Sequence, residues 1–183
     1  MERKELLHKI NLMTEELTKL LSSTSKTELN TVPFEGSWTA GQLAKHVIKS
    51  NSGFWVSSVK SPSDIPSGAK MLNGSVDDSP RKPDGLVEKI KSDLLNFNSK
   101  LQSPEFVQPE KIDYNEEDLL SSLAALNSKL IKSVQSLDLS KTCSAFELPV
   151  YGFLTRLEAV HFVIYHTQRH IHQLKNIIAS LNQ

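Results

Sequence analysis

The sequence predicts an all-α protein: a four-helix bundle with a long crossover between the second and third bundle helices and an extra helix in that crossover. Five segments repeat apolar residues at spacings of three and four, which is the period of an amphipathic helix. Each apolar stripe is too narrow for a fully buried helix, so each helix must pack on partners. We find no convincing strand and no internal repeat, and a length of 183 residues favours one domain over 1–183.

The first two bundle helices are predicted over residues 2–23 and 38–60. A run of serine and threonine at 22–25 ends the first helix. The second has a start signal, because Ser37 or Thr39 can cap it. The apolar stripe of the first helix consists of Leu6, Ile10, Met13, Leu17 and Leu20. That of the second consists of Leu43, Val47, Ile48 and Phe54.

The crossover begins with a segment of different composition, residues 61–84. It holds four of the eight prolines and two glycines. A loop of about 20 residues is unusual inside a compact domain, so we interpret it as a long crossover or a lid-like excursion. The extra helix is predicted over 84–102, with Asp84 as its cap and Pro104 closing it off. Its stripe consists of Leu86, Ile90, Leu94, Phe97 and Leu101.

The third and fourth bundle helices are predicted over 115–137 and 154–181. Acidic residues at 116–118 suit the start of the third helix, because negative charge stabilises a helix N-terminus. Thr155 opens the fourth helix, and Glu158 three residues later completes a capping box. The stretch 138–153 between them has no helical period and predicts an irregular connector. The long crossover permits the second and third bundle helices to run parallel.

Composition excludes several classes of function. The 21 basic and 21 acidic residues cancel, and no basic block is present, so we expect no binding to nucleic acid or to an anionic membrane. No apolar run approaches the roughly 20 residues that span a bilayer, and the first residues lack the apolar core of a signal peptide. Cys143 is the only cysteine, which rules out an intrachain disulfide. These observations predict a cytoplasmic protein.

Three histidines form the only constellation that predicts chemistry. His166 and His170 are four residues apart, so in a helix they lie about 40° apart on one face. His46 borders the apolar stripe of an earlier helix. Three such imidazoles can hold one divalent metal and leave positions open for water or substrate. The alternative is that each histidine is an ordinary polar residue at the edge of the core.

The other histidines and Cys143 are assigned to plainer roles. His8 is off its helical stripe and is expected at the surface. His161 and His172 lie on a different side of the last helix from His166 and His170, and are expected to be wet or to support the ligands from behind. Cys143 is expected to be a small buried residue. The aromatic residues Trp38, Trp55, Tyr151 and Tyr165 are expected to line the core or a groove.

Two stretches resemble the DinB-like superfamily of DNA-damage-inducible and related bacterial proteins. Residues 36–47 read GSWTAGQLAKHV, which matches the Trp-Ser/Thr-x-x-Gln/Glu-x-x-x-His pattern that opens the second helix of that family. Residues 149–158 read PVYGFLTRLE and 166–174 read HTQRHIHQL, a proline–glycine turn followed by His-x-x-x-His. The resemblance implies a four-helix bundle that holds zinc or nickel on His46, His166 and His170. Relatives include transferases and isomerases that use a low-molecular-weight thiol.

Three hypotheses of function follow. The first is a metal-dependent enzyme, an S-transferase or hydrolase, in which a low-molecular-weight thiol or water attacks a small electrophile. Its catalytic residues are unknown, and the candidates to orient ligands or substrate are Gln42, Glu158 and Arg169. The second is a non-catalytic metal- or ligand-binding bundle that acts in a stress response, and the third is an interaction scaffold with structural histidines. A homodimer is compatible with all three, because related bundles pair through helices.

Overall fold

The computed structural model describes residues 3–60, 70–72, 75–77, 85–99, 101–143, 148 and 150–182. Within these ranges it contains six α-helices, one 3₁₀ turn and one short antiparallel ribbon. The helices are α1 (Arg3–Ser22), α2 (Lys26–Asn30), α3 (Ala40–Lys60), α4 (Gly85–Leu95), α5 (Glu116–Ser136) and α6 (Arg156–Leu181), and the strands are β1 (Lys70–Leu72) and β2 (Ser75–Asp77). The 3₁₀ turn spans Glu105–Val107.

The predicted all-α four-helix bundle is confirmed. Helices α1, α3, α5 and α6 form the bundle, in which α1 and α3 each pack against both α5 and α6. Leucine, isoleucine and valine side chains from all four helices fill one continuous core. Helix α4 packs on the outside of α6, so α6 is covered by α1, α3 and α4.

The long crossover brings the starts of α3 and α5 to the same end of the bundle. Gly41, in the first turn of α3, is so close to Tyr114 that a Cβ on Gly41 would lie 2.9 Å from the Tyr114 Cβ. Tyr114 directly precedes the α5 cap Asn115, whose side chain accepts a hydrogen bond from the Asp118 N–H. Helices α3 and α5 therefore run parallel. At the other end, the Arg3 guanidinium donates to the carbonyls of Gln135 and Leu137, which makes α1 antiparallel to α5.

The expectation that the chain has no strand was wrong in detail. Strands β1 and β2 pair in antiparallel register, with Met71 opposite Val76, inside the proline-rich stretch. A hairpin of three-residue strands is below the length at which alternation can be recognised in a sequence. The rest of 61–84, including the lid-like excursion and the Asp84 cap, lies outside the described residues, as do the side chains of Phe54 and Trp55.

Helix α4 is shorter than the predicted 84–102, because it ends at Leu95. The carbonyls of Leu94 and Asn96 at its end accept hydrogen bonds from Arg169. Phe97 and Leu101, which the periodic pattern placed on a buried stripe, are 46% and 51% exposed. Arg169, which is distant in the sequence, thus bonds to the end of α4 at a point where the apolar spacing of the sequence still continues.

Local capping chemistry explains where the other helices begin. Thr39 accepts from the Gln42 N–H, and the Gln42 side chain accepts from the Thr39 N–H, which selects Thr39 as the cap of α3. Thr155 and Glu158 form the predicted capping box at the start of α6. Helix α2, which was not predicted, has a capping box between Ser25 and Glu28. Among the described residues, every helix is too short or too polar to cross a membrane.

Candidate metal centre

The structure brings His46, His166 and His170 together inside the bundle. His46 comes from α3 and the other two from α6, the helices that pack side by side. One ring nitrogen from each histidine lies within 4.8 Å of the others, and all three side chains are buried. The sequence grouped these three residues as candidate ligands, and the folded chain brings their side chains together.

The ring nitrogens of His166 and His170 are at the spacing of two ligands of one ion. Their Nε2 atoms are 3.0 Å apart, and their rings are almost perpendicular. The His46 ring centroid is 4.7 Å from that of His170 and 5.4 Å from that of His166. Two nitrogens bound at right angles to one metal at about 2.1 Å would be about 3.0 Å apart.

A backbone carbonyl sets the tautomer of His46. The Nδ1 of His46 is 3.0 Å from the carbonyl oxygen of Val107, in the 3₁₀ turn. A carbonyl only accepts, so Nδ1 must carry the hydrogen and donate it. The lone pair of His46 is therefore on Nε2.

A chain of three hydrogen bonds sets the tautomer of His166. The Thr167 hydroxyl donates to the Val163 carbonyl, so its oxygen accepts from the Asn51 side-chain amide. Asn51 must then turn its Oδ1 toward the Nδ1 of His166, 3.2 Å away. An oxygen acceptor at that position requires a hydrogen on Nδ1. The lone pair of His166 is therefore on Nε2 as well.

His170 follows the same pattern. Its Nδ1 donates to the Gln173 Oε1 at 2.6 Å, one turn further along α6. With all three Nδ1 atoms hydrogen-bonded outward, the lone pairs of His166 and His170 face each other at 3.0 Å. Two facing lone pairs repel unless a cation lies between them. The donor set thus fits a divalent metal, for which outward hydrogen bonds on ligating histidines are typical.

Electrostatics keep the three histidines neutral. Burial lowers the pKa of His46, and the positive charge of Lys49 adds to this effect, against a hydrogen bond to Val107 that raises it. Burial lowers the pKa of His170 to about 3. Burial also holds the pKa of His166 well below its usual 6.5, with further contributions from His170, His46 and Arg169. Neutral imidazoles are the form that binds metal.

A large cavity opens onto the three histidines. Its volume is about 630 Å³, which is within the range of small-molecule sites. The Ser50 hydroxyl, 3.4 Å from the Nε2 of His46, also lines it. A second cavity of about 30 Å³ inside the bundle lies behind Asn51 and Thr167, and it has room for about one water molecule.

The residues proposed to orient ligands or substrate have other partners. The Gln42 side chain caps α3, and the Glu158 side chain caps α6. Arg169 lines the cavity and donates to backbone carbonyls at the end of α4. The side chains that hydrogen-bond to the candidate ligands, Asn51 and Gln173, were missed. Both lie within a turn or so of a ligand histidine in the sequence, which was the available signal.

The exposure of the remaining histidines agrees with the prediction only in part. His8 is exposed, as expected. His161 was expected to be wet or to support the ligands, but it is buried and stacks on Tyr165. The helical wheel failed there because α6 is covered by α1, α3 and α4. His172 is half-buried and stacks on Phe97 at 4.1 Å. Cys143 is buried, as expected.

The fold and the site together define a class of protein, a helical bundle in which a buried three-histidine cluster lines a cavity. The family model of the DinB superfamily matches residues 10–174, and the chain belongs to that superfamily. The sequence has no significant match among curated proteins.

Two solved structures share the fold. One is YfiT from Bacillus subtilis, which is described as "a probable metal-dependent hydrolase with an unusual four-helix bundle topology". It is 12% identical with a TM-score of 0.62, over 99% of this chain and 88% of that one. The other, TT2238, described as a four-helix bundle protein, is 18% identical with a TM-score of 0.56, over 96% of this chain and 99% of that one.

Proposed function

We propose that this protein is a metal-dependent enzyme that binds a divalent ion, zinc or nickel, on His46, His166 and His170. The nucleophile is water or a low-molecular-weight thiol, and the substrate is a small electrophile bound in the adjoining cavity. The observation that carries the proposal is the convergence of unprotonated ring nitrogens, with 3.0 Å between the Nε2 atoms of His166 and His170. The description of YfiT as a probable metal-dependent hydrolase supports it.

The residues around the histidines prepare the centre before any ion arrives. Val107, Asn51 and Gln173 each accept the Nδ1 hydrogen of one ligand, so no ligand has to rotate or change tautomer on binding. Burial keeps the imidazoles neutral. A bound divalent ion would polarise an electrophile and lower the pKa of a coordinated water or thiol.

The choice between water and a thiol depends on what reaches the cavity. Cys143 is the only cysteine in the sequence and is buried. A thiol nucleophile would therefore come from a separate small molecule. Three protein ligands leave coordination positions for water, thiol or substrate.

Metal content is the first test. Untagged wild-type protein is measured by inductively coupled plasma mass spectrometry beside His166→Ala and the control His172→Ala. His172 is on the same helix but outside the cluster. We expect about one metal per chain in the wild type and in His172→Ala, and at least tenfold less in His166→Ala. Equal metal in His166→Ala and wild type, or none after loading with Zn²⁺ or Ni²⁺, would contradict the proposed centre.

Activity is tested separately on metal-loaded protein. A panel of p-nitrophenyl esters assays hydrolysis, and a thiol with monobromobimane assays transfer. We expect turnover with one nucleophile that disappears in His46→Ala. A protein that binds one metal but turns over neither panel would favour the non-catalytic binding bundle instead.

A further inference from the structure

Arg169 places a buried cation beside the three histidines. It precedes His170 directly on α6 and lines the same cavity. Its side chain is 5% exposed, and burial lowers its pKa from the ordinary 12.5. A guanidinium nevertheless remains charged at neutral pH. The cavity therefore has a permanent positive charge next to the candidate metal centre.

The described partners of Arg169 are all neutral. Its Nη1 donates to the carbonyls of Leu94 at 3.2 Å and Asn96 at 2.9 Å, and its Nη2 donates to the carbonyl of Ser99. None of the ion pairs between described residues involves Arg169. Three bonds leave two of its five N–H donors available. The carbonyls and the dipole of α4 offset part of the cost of burying this charge, but they supply no full negative charge.

Among the described residues, the cavity wall does not supply that negative charge elsewhere. Asp93 is the only described carboxylate that lines it. Asp93 accepts from Lys89 at 2.5 Å and from the Tyr151 hydroxyl at 3.2 Å, so its charge is already paired. The three candidate ligands are neutral imidazoles, and they would leave the charge of a bound ion uncompensated too. A cavity in which the charges of the described residues leave an unbalanced positive charge favours an anionic ligand.

The mouth of the same cavity is apolar. Leu101, Phe106 and Val150 line it and are 51%, 65% and 82% exposed. Further inside, the rings of Phe162 and Tyr151 also contribute to the wall. Large apolar side chains that surround a cavity while facing solvent are typical of a binding site for an apolar group.

We propose that the cavity binds an organic anion, with its carboxylate or phosphate beside Arg169 and its apolar body against Leu101, Phe106 and Val150. The planar guanidinium suits either group, because both present paired oxygens to its N–H fork. Arg169 is then the residue that selects anionic over neutral substrates. This inference rests on the proposed function, since it names the substrate class of the same site.

Calorimetry with matched ligands tests the proposal. The probes are 4-phenylbutyrate, the neutral 4-phenylbutyramide and 4-phenylbutyl phosphate, titrated into the protein as purified and again after chelation. We expect at least one anion to bind tenfold or more tighter than the amide in both samples, and the tighter anion identifies the preferred group. In Arg169→Gln the anion should bind within threefold of the amide, with the amide affinity unchanged. The control Lys49→Gln removes a cation near His46 whose carboxylate partner, Glu110, is not among the described residues that line the cavity. It should keep the preference.

The outcomes separate this inference from the metal proposal. An anion preference that survives chelation supports the role of Arg169 even in protein that holds no metal. Equal binding of anion and amide to the wild type would overturn the inference. A preference lost in Lys49→Gln but kept in Arg169→Gln would also overturn it.

A second measurement covers the case in which Arg169→Gln does not fold, because Arg169 also holds the end of α4. The chain has four arginines, Arg3, Arg81, Arg156 and Arg169, so their Nε–H signals can be resolved by NMR of the wild type. The Arg169 signal, assigned through its bonds to the backbone, should shift with 4-phenylbutyrate and stay fixed with the amide. An unmoved Arg169 signal at saturating 4-phenylbutyrate would contradict the proposal.

Discussion

At the scale of single residues, Asn51 connects the bundle core to the candidate metal centre. It accepts from the Nδ1 of His166 and donates to Thr167, whose hydroxyl is anchored on the Val163 carbonyl. All of these groups are buried, so bulk solvent does not compete for their hydrogen bonds. The orientation of His166 therefore depends on one amide from another helix.

We expect Asn51→Ala to weaken metal binding about 10- to 100-fold, because histidine ligands lose affinity when the acceptor behind them is removed. Competition with a chromophoric zinc chelator measures the change. The matched control is Asn127→Ala, since Asn127 also faces the small internal cavity but bonds to Thr14 instead of a histidine. A similar loss of affinity in both variants would assign the effect to general loosening of the bundle.

At the scale of elements, α3 must approach the start of α5 closely while presenting His46. A Cβ on Gly41 would lie 2.9 Å from the Tyr114 Cβ and 3.1 Å from the Leu29 carbonyl oxygen. Gly53, two turns after His46 on the same helix, has no atom of a described residue within 4 Å of the corresponding position. Close packing against Tyr114 therefore favours glycine at position 41, whereas no contact with a described residue favours it at position 53.

The same substitution at these two positions should change stability in opposite directions. Gly53→Ala should raise the free energy of unfolding by about 0.5–1 kcal/mol, because alanine favours the helix. Gly41→Ala should lower it by about 1–2 kcal/mol, because the strain of overpacking exceeds that gain. Urea unfolding of metal-free protein measures both. A stabilised Gly41→Ala would mean that the contact with Tyr114 relaxes without cost.

At the scale of the whole molecule, the sequence predicts the helices and the histidine cluster better than it predicts the groups that hydrogen-bond to those histidines. The four-residue spacing of His166 and His170 identifies the pair, and the apolar stripe beside His46 turns that residue inward. The Val107 carbonyl could not be predicted, because the segment around it has no period that would fix its path. The burial of His161 depends on the helices that cover α6, and the end of α4 at Leu95 depends on how α4 and α6 pack together. No single helical stripe encodes either.

The neutral histidines also make the stability of the whole fold depend on pH. In the metal-free protein the pKa of His170 is lowered to about 3 and that of His166 falls well below 6.5, whereas both return to 6.5 on unfolding. Above pH 6.5 neither state binds a proton at these rings, so their stabilising effect is fully present. Below it the unfolded state takes up protons that the native state does not, and the free energy of unfolding falls. The loss is about 1.4 kcal/mol per pH unit for each histidine.

Chelated protein should therefore lose about 2 kcal/mol of stability between pH 6.5 and 5 from His170, and a further amount of the same sign from His166. Urea unfolding at pH 7 and pH 5 measures the loss, with His166→Gln/His170→Gln as the comparison. The double variant should show a markedly smaller loss, because glutamine does not titrate. The range from pH 6.5 to pH 5 lies above the range in which protonation of Glu110, whose pKa is lowered to about 2, affects stability. Identical losses in wild type and variant would mean that the two rings take up protons in the native metal-free fold over the same pH range as in the unfolded chain.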